Sequence, residues 1–144
     1  MSLKKVAGII VMTCFLVHVG HAQAQEGLQT YFSEVASKVK AMDDPAEKRE
    51  VTAKSLQTMA EAVDRVQRSR MISKEDRARL EQLKATVQDK QDELAGLNGF
   101  ERVPDGQLNA FVDYVVQDME QAERTITISL VAALLIVIIL ILIV

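Results

Sequence analysis

Cys14, His18 and His21 hold the only thiol and the only imidazoles in the 144 residues. With them rest the chain's means of thiolate attack, general-base work near neutrality and soft-metal ligation. All three fall in the opening stretch MSLKKVAGIIVMTCFLVHVGHAQA. Lys4 and Lys5 give that stretch a charged start, an apolar run follows over 6–19, and Ala22-Gln23-Ala24 supplies an A-x-A site. This is the layout of a cleavable secretory signal peptide over 1–24. Thr13 stands before Cys14 where lipidation calls for a small residue, so Cys14 is not a lipid attachment point. Cleavage would begin the mature chain at Gln25 with neither Cys nor His. Such a chain has no disulfide to staple it and relies on packing, partners or membrane.

The remaining chemistry-bearing candidates are carboxylates and a basic cluster. Asp43 and Asp44 stand together, but the alternating oxygen ligands and central Gly of a calcium loop are missing. Asp44-Pro45 instead marks a helix start, with Asp44 as N-cap, Pro45 in the first turn and Glu47 as the partner in a capping box. Asp89, Asp92 and Glu93 lie among Lys and Gln on a predicted helix and read as a solvated face. No Ser-His-Asp set, glycosidase-like carboxylate pair, P-loop or G-x-G-x-x-G is present. The expectation is therefore a non-enzyme with no catalytic, cofactor-binding or metal site and no small-molecule substrate. Arg65, Arg68, Arg70, Lys74, Arg77 and Arg79 cluster within 15 positions, interleaved with Asp64, Glu75 and Asp76. No aromatic residue stands beside them to stack bases, and the chain's net charge is −3, so nucleic acid is not indicated. The cluster reads as a solvated tip, or as an interaction surface for an acidic partner such as anionic lipid or envelope polymer.

The elements that must position these residues are helices. Leu28, Tyr31, Phe32, Val35, Val39 and Met42 keep one helical face, predicting a helix over about 27–42. Leu56, Met59, Val63 and Val66 predict a second over about 45–71. A third, over about 74–97, carries Leu80, Leu83, Val87, Leu94 and Leu97, with Lys90 filling one apolar slot. Ser73 caps it, and Asn98-Gly99 is predicted to close it. The second and third are similar in length and joined by a short link, which implies an antiparallel hairpin with the basic cluster at its tip. In the loop that follows, Phe100 and Val103 are predicted to pin the chain to the bundle. Leu108, Phe111, Val112, Val115, Met119, Ala122 and Ile126 then begin a fourth face.

That face runs without a breaker into TITISLVAALLIVIILILIV, residues 125–144, which contain no charge, Gly or Pro. Twenty residues of helix rise about 30 Å, the thickness of a bilayer's hydrocarbon core. The sequence thus predicts one long helix that leaves the bundle, carries an acidic flank (Asp113, Asp118, Glu120 and Glu123 against Arg124) and enters the membrane as a single-pass C-terminal span. Ser129 and Ala133 form a small-xxx-small pair that would let two such helices approach.

The organisation read from sequence is a signal peptide at 1–24, an exported helical region at 25–99, a loop and juxtamembrane helix at 100–124, and a transmembrane helix at 125–144. The fold class is all-α, an antiparallel coiled-coil-like hairpin or small bundle. The function expected is that of an exported, membrane-anchored interaction or scaffold protein, or an accessory subunit of an envelope complex. It would be placed on the periplasmic or extracellular side, with the bilayer and a protein partner or a second copy as its contacts. The alternatives are a membrane-bridging or remodelling protein of an architecture similar to one-piece phage spanins, and a lipid-anchored precursor whose tail is removed.

Overall fold

The computed structural model describes residues 27–144. The signal-peptide reading of 1–24 lies outside the described residues, and so do Cys14, His18 and His21. The described chain is all-helical: α1 (Leu28–Lys40), α2 (Pro45–Gln67), α3 (Lys74–Ala95), a 3-10 turn (Asp105–Gln107), α4 (Leu108–Glu123) and α5 (Ile128–Ile143).

The punctuation read from sequence sets most of the boundaries. The Asp44 carboxylate accepts the Ala46 N–H at 3.0 Å, with Pro45 behind it, and starts α2. Glu47 lies in that first turn but makes no return bond, so the cap is one-sided. Ser73 Oγ accepts the Asp76 N–H at 3.1 Å and starts α3. The end of α3 differs from the prediction. Gly96, at φ +75°, turns the chain out, and the Leu97 N–H bonds the Asp92 carbonyl at 2.8 Å. A side chain at Gly96 would meet the Arg102 backbone, so this position closes the helix and Asn98-Gly99 only continues the turn. Leu97 and Phe100 are consequently exposed, at 57% and 41%, whereas Val103 is buried as predicted.

The bundle is built round α2, which packs against all four other helices. One apolar stripe would not suffice for such a helix, and α2 also buries Thr52, Ser55 and Thr58. Each hydroxyl donates to its own helix's carbonyl four residues back, Lys48, Val51 and Lys54, at 2.7 to 2.9 Å. The polar atoms are satisfied within α2, which lets neighbours close in over a wide face while Glu50, Ala53, Lys54, Gln57, Glu61 and Arg65 stay exposed. The α2–α3 hairpin is antiparallel, registered by Lys84–Asp64 at 2.7 Å and Gln67–Glu81 at 2.8 Å. Leu56, Met59, Val63, Leu80, Leu83 and Val87 share its core. α1 runs antiparallel to α4, through Lys40–Asp113 and the Leu28 N–H to the Glu123 carboxylate at 2.8 Å. Glu123 thereby caps the start of α1 from 95 residues away. A Cβ on Gly27 would collide with that carboxylate and with Val131, so the close approach needs glycine there.

The single long C-terminal helix is not what forms. α4 ends at Glu123, Thr125 Oγ1 turns back to the Ala122 carbonyl at 2.7 Å, and Thr127, in extended conformation, accepts the Leu130 N–H at 3.3 Å to start α5 anew. Two threonines whose hydroxyls serve the backbone thus supply a break that apolar periodicity does not register. α5 docks on α2, burying Leu130, Val131, Leu134 and Ile138 in the common core. Its 16 residues rise only about 24 Å, short of a roughly 30 Å hydrocarbon core. Among the described residues no helix is long and apolar enough to cross a membrane, so the predicted span at 125–144 is corrected to a docked helix. The acidic flank is also not free. Asp113, Asp118, Glu120 and Glu123 are held by Lys40, Lys90, Arg124 and the Leu28 N–H.

Candidate functional site

Two surfaces stand apart from this packing, and both can be built from the residues upward. The first is the hairpin tip. α2 ends at Gln67, a turn covers 68–73, and α3 begins at Lys74. All six basic residues singled out by the sequence, Arg65, Arg68, Arg70, Lys74, Arg77 and Arg79, are exposed there. Arg68 and Arg77 line a shallow polar groove with Asp64, Gln67, Glu81 and Lys84. In that groove Lys84 is committed to Asp64, whose hydrogen bond and charge raise the Lys84 pKa above its ordinary value. Glu81 is committed to Gln67. None of the six basic side chains enters an ion pair or donates a hydrogen bond among the described residues. Of the other nine described cations, only Lys38 and Lys54 share that condition. Among the described residues, the tip is thus where most of the unneutralised positive charge is collected.

The second surface is the outer side of α5. Ser129, Ala132, Ile136, Leu140 and Ile143 recur at helical spacing, and all are exposed. Ile136, Leu140 and Ile143 keep 58%, 52% and 57% of their surface open. The inner side is equally apolar, since it supplies Leu130, Leu134 and Ile138 to the core. The helix therefore has no polar face. Of the predicted Ser129–Ala133 pair, Ser129 is exposed on the free face and Ala133 is partly buried against the core. Ala132 stands beside Ser129 on the free face.

Lys90, the cation in an apolar slot of α3, is a third feature, which sequence reading noted without assigning partners. Its Nζ lies 2.8 Å from Asp118 and 3.1 Å from Glu93, and 5.8 Å from the Phe111 ring centre. Burial pulls its pKa down, but the hydrogen bonds and charges of Asp118 and Glu93 outweigh this and raise it overall. Direct contact between α3 and α4 is otherwise slight, so this cluster acts as a clasp. Tyr31 shows the opposite balance, with burial raising its pKa and the hydrogen bond with Ser55 opposing the rise. No group of three or more candidate metal ligands comes together among the described residues.

Comparisons with protein-family models, curated proteins and solved structures find no match to this chain.

Proposed function

We propose that this chain is a non-enzymatic helical interaction module held at a lipid bilayer by α5, with the bundle as the part that meets protein partners. One observation carries the reading: α5 is apolar on its free face as well as its docked face. Burying the open halves of Ile128, Ile136, Leu140 and Ile143 would contribute roughly 1 kcal/mol each, about 4 kcal/mol together, or close to a thousandfold in partitioning.

The chemistry of that face favours lipid over protein as its cover. Protein interfaces concentrate aromatic residues, Met and Arg at their centres and surround them with a polar rim. The outer side of α5 has Ile, Leu, Ala and one Ser, with no charge anywhere from 125 to 144. Hydrocarbon asks for nothing more. The signal-like start of the chain supports export, which would place the bundle on the outer side of that bilayer. The accessory-subunit role follows from a bundle that has spent its chemistry on holding itself together.

Flotation of the full chain with neutral phosphatidylcholine vesicles tests this. The chain should float, and Ile136→Lys with Leu140→Lys should leave it in the aqueous fraction with the bundle's helicity unchanged. If the doubly charged variant floats as well as the parent, α5 is not the attachment. If the parent stays in solution and sediments as a dimer that the same substitutions dissociate, a second copy is the cover.

A further inference from the structure

Attachment through α5 leaves the six unneutralised cations of the tip without a use. Their position supplies one. α2 and α4 run in the same direction, since Lys48 near the start of one meets Asn109 near the start of the other at 2.9 Å. α3 runs against both, with Lys84 on Asp64 and Lys90 on Asp118. The end of α4, the first turn of α5 and the α2–α3 tip therefore share one end of the bundle. By this register Glu123 lies near the level of Ala62, so the tip extends past the end of α4 by about 10 Å at 1.5 Å per residue.

At the apex of the tip stands Met71, 95% exposed, with Arg70 directly before it and Lys74 three residues after. An open apolar side chain ringed by unpaired cations suits the boundary between headgroup and acyl chain, where the ring meets phosphate and the thioether meets hydrocarbon. A soluble polyanion would use the cations and leave Met71 in water. From 64 to 84 the chain holds seven cations and four carboxylates, net +3, against −3 for the whole sequence. The attractive charge is therefore local to this end.

We infer that the α2–α3 tip is a docking surface for anionic lipid headgroups, with Arg65, Arg68, Arg70, Lys74, Arg77 and Arg79 as the electrostatic contacts and Met71 as a shallow apolar insertion. It would bring the tip to the same bilayer that the outer face of α5 meets. The inference rests on the bilayer reading of α5 but adds a dependence on lipid charge that α5 alone would not create.

The test uses the full chain with vesicles of phosphatidylcholine alone and of phosphatidylcholine with phosphatidylglycerol. Each cation near an anionic surface contributes roughly fivefold, so binding to the mixed vesicles should exceed binding to neutral ones by at least about a hundredfold at low salt. Replacing the six cations by Gln should abolish that difference, and so should raising salt to about 0.5 M, where the Debye length falls to a few Å. Helicity should be unchanged, because no ion pair is lost. The control Lys38→Gln with Lys54→Gln removes the two other unpaired cations among the described residues and should keep the preference. Met71→Ser should weaken mixed-vesicle binding several-fold. Equal binding to both vesicle types by the parent chain, or a preference that survives in the six-Gln variant, would overturn the inference. So would capture on heparin beads as tight as on vesicles with no effect of Met71→Ser, which would make the ligand a soluble polyanion. Failure of the α5 reading appears differently, as absent binding to neutral vesicles with the charge-dependent part still measurable.

Discussion

Replacing Lys90 by Met should separate its electrostatic role from its packing role. Met keeps the length of the stem, so the slot on α3 stays filled, while the ammonium that bridges to Asp118 and Glu93 is removed. Two unit charges at the 2.8 Å of this pair interact by about 6 kcal/mol at an effective dielectric of 20, which bounds the Lys90–Asp118 term from above. Lys90 keeps only 14% of its side chain open, but Asp118 keeps 35% and can be rehydrated when its partner goes. Charge-assisted hydrogen bonds contribute about 1.5–3 kcal/mol and exposed pairs about 0.2–1. A pair with one closed and one half-open member belongs between, at about 1–2 kcal/mol. Lys90→Met alone does not report this, because it also relieves the cost of burying the ammonium and forfeits about 0.5–1 kcal/mol of attraction to the Phe111 ring. A double-mutant cycle with Asp118→Asn isolates the pair. Urea unfolding of the four proteins, followed by circular dichroism at 222 nm, should give a coupling energy of about 1–2 kcal/mol. Additivity within about 0.3 kcal/mol would refute the clasp between α3 and α4.

The remaining predictions use the same unfolding assay. Leu83→Ala opens a cavity in the hairpin core and should cost about 2–5 kcal/mol, whereas its exposed neighbour Gln82→Ala should stay within about 0.5. Gly96→Ala forces a Cβ into the left-handed region and against the Arg102 backbone, and should cost at least about 1–2 kcal/mol; an unchanged midpoint would show that α3 closes elsewhere. Alkaline pH should destabilise the fold. Tyr31 and Lys90 have folded pKa values raised above 10.0 and 10.5, so the folded chain holds protons that the unfolded chain has released. Their contributions are intact below pH 10 and decline as pH climbs through the raised values. A midpoint that rises above pH 10 would contradict both assignments.

The helices and their order are readable because their signals are local. Asp44-Pro45 and Ser73 cap where a side chain within three residues supplies the bond, and the apolar faces of α1 to α4 repeat at helical spacing. What escapes depends on partners distant in sequence. Gly96 is the closing residue because Arg102 comes back across it. Thr52, Ser55 and Thr58 are buried because four helices pack on α2, which no property of α2 alone announces. Glu123 caps α1 from the far end of the bundle, and Asp118 reaches back to Lys90, so residues that read as an acidic flank are internal fastenings. The break at 124–127 was hidden for a related reason. Thr125 and Thr127 are ordinary members of an apolar-to-polar transition until their hydroxyls are seen bonding the backbone. For the surfaces, the basic cluster was legible as a cluster, but its lack of internal partners and its place beside the start of α5 required the fold.

The central claim is that the outer face of α5 meets lipid, and a polarity-sensitive fluorophore on that face tests it most directly. In a Cys14→Ser background, the label is placed at Ile136→Cys and, as a control, at Gln82→Cys on the exposed side of α3. With neutral phosphatidylcholine vesicles the label at position 136 should shift to shorter wavelength and be quenched by brominated acyl chains, while the label at 82 responds to neither. An unshifted, unquenched label at 136 in the vesicle-bound fraction would contradict the account.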